Sequence, residues 1–522
     1  MLKLLRIFIA VLIFASLSVF FLDFTETVPL SAHVLAHAQI VPLIQAKMVL
    51  ALLLWLVLTM LFGRFYCSIL CPLGILQDIL SRIAKIRRRK KAKYQFRPEM
   101  FYTRWGFLLL FIIGLAAVPV IVSFLDPYSH YGRLMALVVR PVYLTCNNYL
   151  AGLNPDWFSY TTVPVAWLPA TVALIIMILV GVLAFFFGRR YCNTICPVGT
   201  LLGLCAKISP FRIRFNSNCG SCGLCEKACK GECLNSQAKT VDVSRCVDCF
   251  NCVSVCRRKG ISFSRQNNVP VPVVDDDTAT PSTPLVNDTA IIFRRSFLQG
   301  VTASLLFGST ARAETRLNAD GLPTGQSRVS YKKTHPVLPP GAKSKAHLTH
   351  HCTACQLCVA KCPSHVLQPS ITDLGVRGFL VPVAKFDRGF CAYNCTVCTR
   401  ICPTSALIPL SESEKHKVQI GQVVFLEENC VVRTQEVSCA ACAEHCPTGA
   451  ITMRLYGQPD SGLAIPEIDN ALCVGCGACE HICPVSPYRA IYVDGLEKHG
   501  EAKPAFDPNE KQQEVQLDSF GF

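Results

Sequence analysis

Charged residues are scarce in this chain of 522 residues, at 16% against 51% hydrophobic residues, and the mean hydropathy is +0.37. This balance excludes an intrinsically disordered chain. No C-x-x-C-H sequence for a c-type haem and no convincing flavin-attachment or glycine-rich dinucleotide motif is present. The histidines His33, His37 and His130 fall between the long apolar segments, so no segment offers ligands for a membrane haem. We therefore expect neither haem nor flavin.

Four apolar segments in the N-terminal part approach the roughly 20 residues that cross a bilayer core. They are residues 7–22, 41–62, 107–125 and 165–187. Residues 64–104 hold eleven Lys or Arg against two acidic residues, in a chain of net charge +16. The loops 23–40 and 126–164 carry only Arg133 and Arg140 as basic residues. This asymmetry predicts four spans with both ends in the cytoplasm, and it favours membrane topology over nucleic-acid binding.

The second and fourth segments are followed by closely similar phrases, GRFYCSILCPLG at residues 63–74 and GRRYCNTICPVG at residues 188–199. An internal duplication explains this repeat. Its cysteines are Cys67, Cys71, Cys192 and Cys196. They either supply thiolates to a redox centre or further cluster, or are simply buried beside a helix-ending proline. The repeated phrase resembles the NapH-like ferredoxin-type membrane proteins over about residues 1–260, and this resemblance implies quinol oxidation.

Cysteine is abundant, and 24 of the 31 cysteines fall into six sets of four. The first two sets have the spacing C-x-x-C-x-x-C-x-x-x-C. They are Cys219, Cys222, Cys225 and Cys229, and Cys246, Cys249, Cys252 and Cys256. Bacterial ferredoxins hold 4Fe-4S clusters with this spacing, whereas zinc ribbons, the alternative, separate two C-x-x-C pairs widely. We predict a two-cluster ferredoxin domain.

Four further sets lie toward the C-terminus, and each ends in Cys-Pro. They are Cys352, Cys355, Cys358 and Cys362; Cys391, Cys395, Cys398 and Cys402; Cys430, Cys439, Cys442 and Cys446; and Cys473, Cys476, Cys479 and Cys483. Their order, with the first cysteine of the third set displaced, resembles the NapG/MauM family of periplasmic ferredoxin-type proteins over about residues 290–490. Spacing does not assign the fourth cysteines to clusters. Cys146, Cys205 and Cys233 have no predicted role.

A predicted export signal separates the two cysteine-rich regions. After a linker rich in Pro, Thr, Val and Asp comes FRRSFLQ at residues 293–299, then a weakly apolar stretch and Ala-Arg-Ala at residues 311–313. This pattern is typical of a twin-arginine signal, which permits export of a folded, cluster-loaded domain. If it is not cleaved, the segment is a fifth span; a cytoplasmic amphipathic linker is the alternative.

The predicted fold is an α-helical membrane unit of four or five spans joined to α+β bacterial-ferredoxin-like cluster domains. Its predicted parts are a membrane unit with two CxxxCP turns (1–215), a cytoplasmic two-cluster ferredoxin domain (216–262), a linker (263–292), the signal or anchor (293–313), a second linker (314–345) and a four-cluster polyferredoxin domain (346–522).

The sequence predicts an iron-sulfur electron-transfer protein of the bacterial inner membrane, with its N-terminus in the cytoplasm and its polyferredoxin domain in the periplasm. We expect about six 4Fe-4S clusters, with iron bound through the set cysteines, and one more if the CxxxCP cysteines are ligands. Electrons would pass from the quinone pool to a periplasmic reductase or cytochrome, and the resemblance implies a nitrate-reductase-type partner. No substrate site of its own is evident. The alternative function is a redox maturation or reductive-activation factor for another metalloprotein.

Overall fold

The computed structural model describes residues 2–23, 29, 33–88, 94–155, 158–265, 328–457 and 462–503. The segment predicted as a twin-arginine signal lies outside these residues, as do nearly all of the linker before it and part of the linker after it.

Helices form the N-terminal part of the chain. They are α1 (Leu2–Leu22), α2 (Val34–His37), α3 (Ile40–Gln45), α4 (Val49–Phe62), α5 (Tyr66–Ile69), α6 (Pro72–Arg88), α7 (Phe101–Ala116), α8 (Pro119–Leu125), α9 (Pro127–Leu134), α10 (Arg140–Leu153), α11 (Trp167–Phe187), α12 (Arg190–Thr194) and α13 (Pro197–Ala206). A π-helical turn, Met135–Val139, joins α9 to α10.

Two of the four predicted spans are continuous helices: α1 and α11, each of 21 residues, are long and apolar enough to cross a membrane. The second predicted span breaks between α3 and α4, where Lys47 has a φ of 56°. The third breaks before Pro119, whose ring disfavours a helical conformation in the preceding residue. The described residues therefore contain two candidate spans, which indicate membrane association, and four continuous spans are not confirmed.

Short strands and helices form the cysteine-rich parts. The strands are β1 (Phe211–Phe215), β2 (Leu234–Asn235), β3 (Thr240–Val241), β4 (Ile261–Arg265), β5 (Leu367–Pro369), β6 (Pro382–Ala384), β7 (Val418–Phe425), β8 (Ile451–Leu455), β9 (Ala464–Ile468) and β10 (Ile491–Glu501). They pair antiparallel in twos: β1 with β4, β2 with β3, β5 with β6, β7 with β10 and β8 with β9. The pairing of β1 with β4 joins the two ends of the two-cluster region, because β1 precedes its cysteines and β4 follows them.

The helices between these strands are all short, and several carry cysteines of the sets. They are Leu224–Ala228, Asn251–Val255, Lys345–His351, Leu357–Ala360, Val397–Arg400, Glu412–Lys417, Val431–Gln435, Ala441–Glu444 and Ala478–Ile482, with 3-10 turns at Val376–Gly378 and Glu427–Asn429.

The two cysteine-rich regions contact opposite ends of α11. Arg189, just after α11, donates its backbone N–H to the carbonyl oxygen of Lys230 at 2.9 Å. At the other end, Arg388 donates to the carbonyl oxygen of Val165 at 3.1 Å. A helix of 21 residues is about 31 Å long, so the helical unit separates the two regions along this axis.

Candidate iron-sulfur sites

Each fourth cysteine of the C-terminal sets lies among the first three cysteines of another set. Burial raises the pKa of the Cys358 thiol, and the neighbouring thiols of Cys352, Cys355 and Cys402 raise it further. Likewise, burial and then Cys391 and Cys362 raise the pKa of Cys398. The first two of these sets therefore exchange their fourth thiols.

The last two sets are interleaved in the same way. Burial raises the pKa of Cys479, and the thiols of Cys476, Cys473 and Cys446 add to the effect. Cys430, the displaced first cysteine, has Cys439 and Cys483 as its neighbouring thiols. Although Cys430 is displaced in the sequence, it lies beside Cys439 and Cys483 in the structure. The 3-10 turn Glu427–Asn429 leads directly into it.

The two-cluster region follows the same arrangement at one of its sites. Cys229 lies among the thiols of the second set, where it contributes to the raised pKa values of Cys249 and Cys252 after the larger effect of burial. Cys225 has Cys219 and Cys222 as neighbouring thiols. Cys233, which has no counterpart in the spacing, is buried 3.5 Å from the sulfur of Cys229.

Three of these thiol groups line cavities of similar size. The cavity that contains Cys229, Cys246, Cys249 and Cys252 measures about 320 Å³. Two others of about 360 Å³ contain Cys352, Cys355, Cys358 and Cys402, and Cys430, Cys439, Cys442 and Cys483. Within the described residues, no three His, Cys, Asp or Glu side chains converge on one point as they would around a single metal ion. Thiols on the walls of an apolar cavity suit a cluster in which each thiolate binds a different iron atom.

The two CxxxCP turns bring their four cysteines into one buried group. Gly63 and Gly188, with φ values of 80° and 67°, end α4 and α11, and Pro72 and Pro197 begin the helices that follow. All four thiols are buried. Burial raises the pKa of Cys196 well above its ordinary value, and Cys192, Cys71 and Cys67 raise it further. The internal repeat thus folds into one four-thiol site from two distant segments.

Two buried arginines cross between the repeats and fix this site. Arg64 donates to the carbonyl oxygen of Cys192 at 3.2 Å and approaches the sulfur of Cys67 at 3.9 Å. Reciprocally, Arg189 donates to the carbonyl oxygen of Cys67 at 2.5 Å. Both side chains are completely buried. Buried cations need nearby anions, so two guanidinium groups beside four thiols fit a negatively charged thiolate cluster.

Asp78 connects this site to two other parts of the molecule. Its carboxylate pairs with Arg189 at 2.9 Å, with Arg6 of α1 at 3.1 Å and with Lys230 of the two-cluster region at 3.5 Å. Burial alone would raise the pKa of Asp78, but these three cations hold it well below its ordinary value. The ionised carboxylate therefore joins α1, the second CxxxCP turn and the two-cluster region.

Helix α9 lies between the CxxxCP thiols and the polyferredoxin region. Arg133 of α9 donates to the carbonyl oxygens of Ala354 and Thr353 at 3.1 and 3.3 Å, directly beside Cys355. Gly132 approaches the backbone carbonyl of Cys355 so closely that a side chain would not fit. At its other side, the ring of His130 is 6.4 Å from that of Tyr191, which precedes Cys192.

Three residues complete this connection. Asp126 caps α9 by accepting from the backbone N–H groups of Tyr128 and Ser129. After the dominant effect of burial, the thiols of Cys196 and Cys192 and the carboxyl of Asp126 raise the pKa of Tyr191. For Tyr128, burial is again dominant, followed by Cys355 and Asp126. Buried tyrosines thus lie beside both thiol groups, Tyr191 at the CxxxCP site and Tyr128 at the Cys352 set.

Beside the cysteines named from the sequence, the structure places residues that sequence reasoning missed. Arg64 and Arg189 could have been found, because the repeated phrase contains G-R-x-Y before each C-x-x-x-C-P. No sequence motif marks Asp78 or Arg133. His130 falls between the apolar segments of the sequence, and α9 folds inward and buries it.

Comparison with known proteins supports this chemistry. Residues 46–93 and 169–216, which contain the two CxxxCP turns, match a family described as "4Fe-4S binding domain". Residues 435–487 match a family described as "4Fe-4S dicluster domain". No solved structure matches the chain.

Several curated proteins are similar to parts of the chain. "Ferredoxin-type protein NapF" of Escherichia coli (strain K12) is 31% identical over 173 residues, which cover 33% of this chain and 93% of NapF. "Methylamine utilization ferredoxin-type protein MauM" of Methylophilus methylotrophus is 32% identical over 201 residues, covering 37% of this chain and 81% of MauM. YccM of Escherichia coli (strain K12) is 25% identical over 221 residues, covering 41% of this chain and 55% of YccM. The chain therefore belongs to the ferredoxin-type iron-sulfur electron-transfer proteins represented by NapF and MauM.

Proposed function

We propose that this protein carries electrons from membrane quinol to a periplasmic reductase or cytochrome, and that a seventh cluster at the CxxxCP thiols lies between its two ferredoxin regions. The observation that carries the proposal is the position of α9, which contacts Tyr191 on one side and the Cys355 loop on the other. The match of both CxxxCP segments to a 4Fe-4S binding family supports the seventh site.

The thiol neighbours suggest which cysteines hold each cluster. When bound, the clusters accept and release single electrons, and the protein positions them and tunes their potentials. The proposed groups are Cys219, Cys222, Cys225 and Cys256; Cys246, Cys249, Cys252 and Cys229; Cys352, Cys355, Cys358 and Cys402; Cys391, Cys395, Cys398 and Cys362; Cys430, Cys439, Cys442 and Cys483; Cys473, Cys476, Cys479 and Cys446; and Cys67, Cys71, Cys192 and Cys196.

The contacts at opposite ends of α11 favour placement of the two ferredoxin regions on opposite sides of the membrane. Arg64, Arg97 and Arg104, which lie between the second and third apolar segments, contact Ser244 and Glu232 of the two-cluster region. This favours the cytoplasm for that region. The polyferredoxin region would then be periplasmic, as the twin-arginine pattern suggests. A C-terminal alkaline phosphatase fusion should be active in intact cells. A fusion that is present at full length but inactive would contradict this topology, because alkaline phosphatase forms its disulfides only in an oxidising compartment.

A cleft beside α10 has the chemistry expected for a quinol head group. It measures about 430 Å³ and is lined by Leu137, Arg140 and Leu144 on one side and by Val359, His365 and Arg388 on the other. Arg140 is 4% exposed, and its Nε has no hydrogen-bond partner among the described residues. Burial lowers the pKa of Arg140, while the carboxylate of Asp23 and, to a smaller extent, the nearby thiol of Cys362 oppose this effect. Apolar walls, an unpartnered donor and an adjacent cluster ligand suit an aromatic diol.

Oxidation of one quinol in this cleft would release two electrons to the iron-sulfur sites and two protons to the water at its mouth. The test uses the full chain, purified without oxygen, with decylubiquinol as donor and EPR as readout. Decylubiquinol should reduce the clusters. If dithionite reduces them and decylubiquinol does not, the quinol part of the proposal is wrong.

The location of the quinol site has a separate test. Leu144→Trp would fill the cleft, whereas Val142→Trp on the exposed face of the same helix is the matched control, because Val142 is 60% exposed. Leu144→Trp should slow reduction by decylubiquinol at least tenfold and leave reduction by dithionite unchanged. Equal rates in the two variants would place the quinol elsewhere.

A further inference from the structure

We propose that Cys233 is a fifth thiol of the cluster site formed by Cys229, Cys246, Cys249 and Cys252, and that it can replace Cys229 as a ligand to iron. The inference rests on the proposed presence of a 4Fe-4S cluster at this site. Nothing in the cysteine spacing marks Cys233, because the regular set ends at Cys229.

The position of Cys233 distinguishes it from a cysteine that is simply buried in the core. It is 1% exposed, its sulfur is 3.5 Å from that of Cys229, and it lines the same cavity of about 320 Å³ as the four set cysteines. The cavity is otherwise apolar, with Ile213, Leu234 and Val241 in its walls. Five thiols thus surround a space for which a cluster requires four.

Backbone contacts hold Cys233 in this orientation. The N–H of Glu232 donates to the carbonyl oxygen of Cys229 at 3.2 Å, and Glu232 has a φ of 51°, so the chain turns back on itself between the two cysteines. The carbonyl oxygen of Cys233 accepts from Asp242 at 2.9 Å, and β2 begins at the next residue. The sulfur of Cys233 therefore stays beside Cys229 because the turn and the strand fix the backbone on both sides.

The C-terminal sets lack this arrangement, because none of their fourth cysteines has another cysteine four residues later, and each is followed by proline. In the two-cluster region, Lys230 replaces that proline, and its carbonyl oxygen accepts from the backbone of Arg189. The five-thiol site is therefore attached directly to the second CxxxCP turn.

The exchange needs no oxidant or reductant. The bond between iron and the Cys229 sulfur breaks and a bond between the same iron and the Cys233 sulfur forms. The proton lost by the Cys233 thiol is taken up by the released Cys229 thiolate, so the charge of the site is unchanged.

The chain provides a matched control in Cys256, the fourth cysteine of the other set of the same region. Its sulfur accepts from the backbone N–H of Gly260 at 3.1 Å, and the residues after it, Arg257 to Lys259, include no cysteine. In the proposed grouping, removal of Cys256 leaves its site with three thiols, whereas removal of Cys229 still leaves four.

The experiment compares Cys229→Ala, Cys233→Ala, the double variant and Cys256→Ala in the full chain, purified without oxygen, by iron and sulfide content and by EPR after reduction with dithionite. Cys229→Ala and Cys233→Ala should retain the iron of the unsubstituted chain. The double variant and Cys256→Ala should each lose one cluster, about four iron atoms. Cys229→Ala should also shift one EPR signal, because the new ligand changes the geometry at one iron.

Two outcomes would overturn the inference: equal loss of iron in Cys229→Ala and Cys256→Ala, or full iron content in the double variant. The remaining clusters serve as an internal measure of folding in every variant. If the unsubstituted chain has no cluster signal from this region, the assignment of clusters itself fails, which is a different result from failure of the exchange.

Discussion

Asp78 is a single acidic residue on which three parts of the molecule depend. Its side chain is 9% exposed and pairs with Arg6, Arg189 and Lys230. Removal of one partner from a buried ion pair leaves an uncompensated charge, which is much more costly than the loss of a surface pair. Here a single substitution would leave three cations without their common anion.

We expect Asp78→Asn to lower the free energy of unfolding by about 3–5 kcal/mol, because its three cations lose their buried counter-charge. Thermal unfolding in detergent, followed by circular dichroism, measures the change. Glu427→Gln is the control, because Glu427 pairs with Arg433 at the surface, where both side chains are more than one third exposed. The control should cost no more than about 1 kcal/mol. Similar melting curves for the two variants would contradict a structural role for Asp78.

At the scale of elements, the two helix–turn–helix repeats pack against one another around the four CxxxCP thiols. Each repeat contributes two thiols and one arginine, and each arginine binds the backbone of the other repeat. The tight packing within each CxxxCP turn depends on a glycine. A Cβ at Gly74 would collide with the carbonyl oxygen of Cys67, and a Cβ at Gly199 would collide with that of Cys192.

Gly74→Ala and Gly199→Ala should therefore displace the two arginines and remove the cluster proposed at the CxxxCP turns. The expected loss is about four iron atoms per chain, while the signals of the ferredoxin clusters remain. Gly106→Ala is the matched control, because a Cβ at Gly106 meets nothing within 4 Å. Unchanged iron content in both glycine variants would argue that the CxxxCP cysteines are structural.

At the scale of the whole molecule, α9 joins the helical unit to the polyferredoxin region. Arg133 is 1% exposed and donates to three backbone carbonyl oxygens, those of Ser123, Thr353 and Ala354. In a second contact, the Nζ of Lys361 lies 2.6 Å from the Oδ2 of Asp23, and both side chains are buried. The interface between the two regions is thus held by buried polar contacts, which are sensitive to substitution.

Arg133→Met should weaken this interface, since each buried carbonyl left without a donor costs about 1–3 kcal/mol. Electron transfer between the cluster proposed at the CxxxCP turns and the polyferredoxin clusters should slow at least tenfold, measured by rapid-freeze EPR. Arg433→Met, at an exposed position, should leave the rate unchanged. If Arg133→Met transfers electrons at the rate of the control, α9 is not part of the route.

The total iron content also belongs to this scale. Seven clusters correspond to about 28 iron atoms per chain and six to about 24. Anaerobic iron and sulfide analysis of the full chain should give the higher value. A value near 24, unaffected by substitution of all four CxxxCP cysteines with alanine, would remove the seventh cluster from the proposal.

Local spacing was enough to predict the chemistry of the cysteine sets. Ligands that lie three residues apart in one loop are brought together by that loop, so Cys352, Cys355 and Cys358 could be grouped without a fold. The apolar content predicted helical segments, but not that two of them break at Lys47 and Pro119. A hydropathy pattern records composition over a window, whereas a break depends on the backbone conformation of one or two residues.

Composition and spacing by themselves determined that the protein binds iron-sulfur clusters and indicated that it associates with a membrane. Only the tertiary structure decided which fourth thiol lies beside which set, that Cys233 lies beside Cys229 in the same cavity, and that α9 folds inward between the CxxxCP thiols and Cys355. These features depend on contacts between residues far apart in the chain, such as Arg64 with Cys192 and Arg133 with Ala354. Sequence distance carries no information about such contacts, because packing of the helices brings these residues together.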